Sequence, residues 1–226
     1  MTPSLPEALA ALEALGDPAF AAREALYHKA PRRYLGARTP AIGALADAWR
    51  AEASVEERVA LAAALWATDV HDARVAAAKL LTQARLRPDA EAWDLVASWV
   101  PSFDAWALAD FAADAGRRRL RAGPSRLDEV EGWVASPHLW TRRAALVFTL
   151  PWARLPHPKS TDLLVRERVL GWAAALAPDR QWFIQKAVAW WLRELSRRDS
   201  ARVATFLAGP GEALKPWARR EAARLL

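Results

Sequence analysis

Residues 183–194 read Phe-Ile-Gln-Lys-Ala-Val-Ala-Trp-Trp-Leu-Arg-Glu, and their periodicity decides the fold. Ile184, Val188, Trp191 and Leu195 recur at i, i+4, i+7 and i+11, the spacing that lines one face of an α-helix. Lys186, Trp190, Arg193 and Arg197 repeat the same spacing, displaced by about 200° around the axis. The first stripe is a buried seam. The second faces outward and sets an aromatic among cations. Trp191 is therefore assigned to the core and Trp190 to the cationic face, where an aromatic flanked by positive charge suits a nucleic-acid backbone or sugar. The alternative is that Trp190 packs against a neighbouring helix while its cations are solvated.

The helical period extends outward over the chain, and strand-like alternation is nearly absent. It predicts helices near 4–15, 18–29, 39–51, 55–66, 69–84, 89–99, 102–118, 126–135, 137–150, 161–176, 179–197, 199–208 and 214–225. Ser54-Val-Glu-Glu57 reads as a capping box, and Asp17-Pro18 and Ser136-Pro137 as caps before proline at the first helical position. Gly16, Gly116 and Gly209 read as stops. Cations followed by small residues recur at Arg74, Arg143, Lys186 and Arg220, compatible with helical pairs of about 35–45 residues. The expected fold is all-α: an α-solenoid of stacked antiparallel helix pairs with a concave basic groove, HEAT-like, over residues 1–226 as a single domain.

Lys and Arg total 32 against 26 Asp and Glu, a net charge of +6, which favours a polyanionic partner. The absence of cysteine excludes disulfides and thiol catalysis. His28, His71, His138 and His157 show no metal-motif spacing, so neither a metal nor another cofactor is expected. His71 and His138 read as helix-terminus residues. The N-terminal residues lack a signal-peptide pattern and no apolar run reaches membrane-spanning length. A soluble, cytoplasmic monomer is the expectation.

Trp106-Ala-Leu-Ala-Asp110 places an aromatic and a carboxylate four residues apart, about 40° apart on one helix face. Leu108, Phe111 and Ala115 fall on the far side. A carboxylate in a basic groove opposes phosphate binding. Stabilising a developing cation would justify its presence. Asp104 and Asp114 are weaker candidates, and Glu167 and Glu194 read as salt-bridge partners. Arg142 and Arg143, in Leu139-Trp-Thr-Arg-Arg143, suit bidentate phosphate contact, with surface ion pairs as the alternative.

These three segments together resemble the AlkD family of bacterial DNA alkylation-repair glycosylases, over nearly the whole chain. Tyr34-Leu-Gly-Ala-Arg-Thr-Pro40 is similar to its aromatic-x-Gly-x-x-x-Pro segment, and Trp106-Ala-Leu-Ala-Asp110 matches Trp-Asp-x-Val-Asp at both ends. Trp140-Thr-Arg-Arg143-Ala-Ala matches Trp-x-x-Arg-x-Ala, and residues 183–194 are close to Phe-Ile-x-Lys-Ala-Ile-Gly-Trp-x-Leu-Arg-Glu. Ala107 and Ala189 depart from an acidic residue and a glycine in these patterns.

The resemblance implies hydrolysis of the N-glycosidic bond of N3- and N7-alkylated purines in double-stranded DNA, without base extrusion into a pocket. It implies that Asp110 is the catalytic carboxylate, with Trp106 and Trp190 flanking the lesion's sugar. Arg143 would lie near the lesion backbone and Arg38 near the lesion. Arg142, Lys186, Arg193 and Arg197 complete the expected DNA-binding set. Two other readings remain: a non-catalytic HEAT-like module binding damaged or branched DNA, and a protein-binding solenoid.

Overall fold

The computed structural model describes residues 2–226 and is all-α, with a lone bridge between Arg33 and Val70 in place of any strand. Among the described residues no helix is long and apolar enough to cross a membrane. The helices gather into two compact units, one running to Ala122 and one from Gly123 to Leu226.

The first unit holds α1 (Leu5–Glu13), α2 (Pro18–His28), α3 (Thr39–Glu52), α4 (Val55–Ala67), α5 (His71–Leu80), α6 (Ala90–Trp99) and α7 (Trp106–Ala122). Its centre is α5, which packs against α3, α4 and α7. That position explains its composition. Ala73, Ala76, Ala77 and Ala78 are buried on several sides, and small side chains let three neighbours approach closely. Both expected caps of this unit form. Asp17 accepts from the amides of Ala19 and Phe20, and Ser54 and Glu57 close a capping box.

Two expectations in this unit change. The segment from 102 does not enter the helix directly: Phe103 is extended, and α7 begins at Trp106. Nor does Gly116 stop α7, which runs on to Ala122. Gly116 is buried within the helix. One turn later the fully buried Arg119 donates to the carbonyls of Gln83 and Leu86. That anchorage holds the last turn in place.

The loop before α3 is tied down by a buried carboxylate. Asp72 accepts from the amides of Leu35 and Ala37, each at 2.7 Å, and between them Gly36 sits at φ +82°. A Cβ there would lie 2.2 Å from the Asp17 carbonyl oxygen and 2.7 Å from the Ala21 amide nitrogen. Gly36→Ala is therefore expected to cost about 2 kcal/mol or more, through the left-handed backbone and the clash together. A urea midpoint equal to that of the wild type would show that the loop relaxes without strain.

The second unit holds α8 (Leu127–Trp133), α9 (Leu139–Phe148), α10 (Leu150–Arg154), α11 (Ser160–Leu176), α12 (Trp182–Ser196), α13 (Ser200–Leu207) and α14 (Pro216–Ala222). Its hub is α12, packed against α9, α10, α11, α13 and α14. Ile184, Val188, Trp191 and Leu195 are all fully buried, the seam that the periodicity assigns to the core. The helix expected over 137–150 divides in two. It breaks at Thr149, before Pro151, which has no amide to continue the hydrogen-bond ladder. Its start also shifts. α9 opens at Leu139 with His138 as its N-cap, while the Ser136 hydroxyl accepts from the His138 amide at 3.2 Å.

Candidate functional site

The first unit presents Trp106 and Asp110. Trp106 opens α7 and Asp110 follows one turn later. Both are half-buried, while Leu108, Ala109 and Ala112 between and beyond them are buried. Phe111 departs from the expected far side. It is also half-buried, with the Lys79 ammonium 6.0 Å from its ring centre. The exposed face of α7 thus carries Trp106, Asp110, Phe111 and Asp114.

Trp106 is held in an aromatic surround that the sequence reading missed. Tyr27, 67% exposed, meets the Trp106 ring edge-on at 5.5 Å, and His28 does so at 5.4 Å. Behind His28 the His71 ring stacks at 4.7 Å, and Tyr34 stacks on His71 at 4.7 Å. Edge-to-face contacts of this kind contribute about 0.5–1.5 kcal/mol each beyond the area they bury, so the orientation of Trp106 is over-determined. Burial pushes the His71 pKa down to about 3, with the nearby His28, Arg32 and Arg74 adding to the effect. Burial also lowers that of His28. The buried Arg32 guanidinium is paired with Asp104 and, at 3.5 Å, with Asp69.

Arg38 precedes α3 with its guanidinium 4.0 Å over the Phe20 ring and 3.9 Å from Asp17. Its side chain remains 60% exposed. A cation so placed gains from the ring face while keeping its charge toward solvent.

In the second unit Trp190 and Trp191 separate as expected. Trp191 is fully buried and Trp190 half-buried on the opposite face of α12. The Trp190 indole donates to Glu194 at 3.1 Å, and Arg154 lies 5.7 Å from its ring centre while also donating to Glu194 at 3.1 Å. Burial works against the Glu194 carboxylate. Even so, hydrogen bonds and charge from Arg154, with Trp190 and Arg193, hold its pKa below the usual value. Glu194 thus acts as the ion-pair partner the sequence suggests, and it fixes the Trp190 ring.

The cations around Trp190 differ in availability. Glu221 of α14 pairs with Arg193 and lies 3.6 Å from Lys186. Their charge is partly matched within the unit. Arg197 is exposed and borders, with Arg193, Arg224 and Leu225, an open cavity of about 300 Å³. Arg142 donates to Asp179 at 3.0 Å and to the Ser136 and Pro137 carbonyls at 2.8 Å. Its guanidinium is engaged in tying the start of α9 to the turn before α12. Arg143 is only 4% exposed, donates to the Phe183 carbonyl and lies 5.8 Å from the Phe183 ring. Of the expected phosphate-binding arginines, Arg38 and Arg197 are the exposed ones, and Arg142 and Arg143 are held by their own unit.

The profile of a family described as DNA alkylation repair enzyme matches residues 8–226. No curated protein matches the chain by sequence. Solved structures that share its fold include these two. One, a predicted DNA alkylation repair enzyme from Enterococcus faecalis, is 22% identical with a TM-score of 0.77, covering 93% of this chain and 96% of its own. The other, AlkD2 from Streptococcus mutans, is 19% identical with a TM-score of 0.68, covering 97% of each chain.

Proposed function

The chain belongs to the DNA alkylation repair enzyme family, and from that premise we propose that it is a monofunctional DNA glycosylase acting on cationic N3- or N7-alkylated purines in duplex DNA. The observation that carries the reading is the pair Trp106 and Asp110, one turn apart on the outward face of α7, with the Trp106 ring fixed by Tyr27 and His28.

An N7-alkylated guanine already bears a positive charge. When its bond to C1′ breaks, the bonding electron pair passes to the purine and neutralises it, so the leaving group needs little help from a general acid. The barrier is set by positive charge growing on the deoxyribose. A carboxylate beside C1′ opposes that charge and accepts the proton of the water that adds there. One carboxylate meets the electrostatic demand that glycosidases meet with two. The π-face of Trp106 adds about 0.5–2 kcal/mol of cation–π attraction toward the cationic sugar. No lysine chemistry is required, so hydrolysis proceeds without a Schiff base.

Release of N7-methylguanine from a defined duplex tests the reading. The wild-type chain is expected to release the base and leave an abasic site with an intact strand. Duplex binding without release would instead favour a module that recognises damaged or branched DNA. Arg197→Ala is expected to reduce the magnitude of the salt dependence of duplex affinity by about 0.9 in log–log slope, the share of one phosphate contact. An unchanged slope would place Arg197 away from the phosphates.

A further inference from the structure

Glu24 and His28 lie four residues apart on α2, so their side chains project from one face a turn apart. His71, at the start of α5, is brought against them, and one ligand atom from each of the three lies within 4.8 Å of the others. His71 is 3% exposed. The Nδ1 atoms of His28 and His71 are both buried with no hydrogen-bond partner among the described residues. Buried polar atoms in folded proteins nearly always have a partner, and exceptions call for a cause.

We propose that Glu24, His28 and His71 bind a divalent transition-metal ion of the zinc class, with a further coordination position facing the open cavity of about 490 Å³ that Phe20, Arg23 and Tyr27 line with Glu24 and His28. Two imidazoles and one carboxylate with a position left open is a donor set that such ions accept. A metal takes the lone pair of a neutral imidazole. The Glu24 carboxylate is half-buried, so a bound cation would replace hydration it has lost.

The charges around the cluster are largely matched before any ion binds. Asp72 faces Glu24 but is held by the Leu35 and Ala37 amides, and Arg32 faces His28 but is paired with Asp104 and Asp69. Arg23, which lines the cavity, and Arg38 also act on Glu24. Tetrahedral ligation at about 2.0–2.1 Å needs donor atoms roughly 3.4 Å apart. The half-exposed Glu24 has room to close the difference by rotation. The site also answers a structural need. α2 contains no fully buried residue, so apolar packing does little to fix it. A metal shared with His71 would clamp α2 to α5 directly behind the Trp106 ring.

The test uses the full-length chain stripped with a chelator, titrated with cobalt(II) by visible absorption and with zinc(II) by thermal unfolding. One equivalent of cobalt should give a saturable d–d spectrum, and zinc should raise Tm with concentration. Glu24→Gln and His71→Phe should each abolish both signals, the phenylalanine keeping a ring in the stack and circular dichroism confirming the fold. His157→Ala, an exposed histidine outside the cluster, should leave them intact. No saturable uptake by the wild type, or uptake that survives both substitutions, would overturn the proposal. Neither outcome bears on base excision, which is read separately.

Discussion

Asp110→Asn is expected to slow release of N7-methylguanine from duplex DNA by about 10³-fold while leaving duplex affinity unchanged or slightly tighter. Asparagine keeps the size and the hydrogen-bonding oxygen of Asp110 and removes its charge. Two unit charges about 4 Å apart at an effective dielectric near 20 interact by about 4 kcal/mol. Because the cation forms only as the glycosidic bond breaks, that energy acts on the transition state rather than on binding. At 1.36 kcal/mol per factor of ten it corresponds to about 10³ in rate. The ground state changes the other way, since removing an anion from a polyanion's binding surface relieves repulsion.

Single-turnover release and equilibrium binding under one salt condition separate the two effects. Loss of binding together with release would make Asp110 a structural residue and remove the catalytic assignment. Trp106→Ala is the smaller companion. Cation–π attraction of about 0.5–2 kcal/mol predicts a reduction of roughly 2- to 30-fold. Asp110 and Trp106 share one face of α7, so their effects should not add independently.

The parts of this molecule legible in sequence are those decided within one helix. The period of α12 separates Trp190 from Trp191, and the period of α7 turns Trp106 and Asp110 to one side. Local capping chemistry was equally legible at Asp17 and Ser54. Where the expectation failed locally, a stronger constraint stood nearby. Pro151 divides the 137–150 helix, and the buried Arg119 carries α7 past a glycine that packing tolerates.

What could not be read are properties set by partners distant in sequence. Glu221 answers Lys186 and Arg193 from α14, Phe183 covers Arg143 from α12, and His71 meets His28 from a different helix. The Glu24-x-x-x-His28 spacing was present all along. Its third member appears only once α2 and α5 are folded together. A count of motif spacings within one segment finds no metal ligands here for that reason.

Adjacent tryptophans with opposite surroundings should give opposite mutational outcomes. Trp191→Ala is expected to destabilise the protein by about 3–5 kcal/mol, the usual range for deleting a buried aromatic side chain. Trp191 is fully buried on the helix that five others pack against, so the cavity has no easy way to collapse. For a chain of this length each kcal/mol moves Tm by about 2–4 °C, giving a fall of roughly 6–20 °C. Trp191→Phe should cost much less. It leaves a smaller void, and it removes a buried indole N–H that has no partner among the described residues, whose desolvation is itself unfavourable by about 1–3 kcal/mol. Trp190→Ala should cost only about 1 kcal/mol in stability, because its half-buried ring contributes chiefly the hydrogen bond to Glu194 and the contact with Arg154. Its larger effect should appear in base release. Thermal unfolding of the three variants beside single-turnover release decides the matter. A Trp190→Ala protein as unstable as Trp191→Ala would make Trp190 a packing residue and remove its expected contact with DNA, whereas a stable Trp190→Ala protein with slowed release would leave that ring as one whose work is done on the substrate.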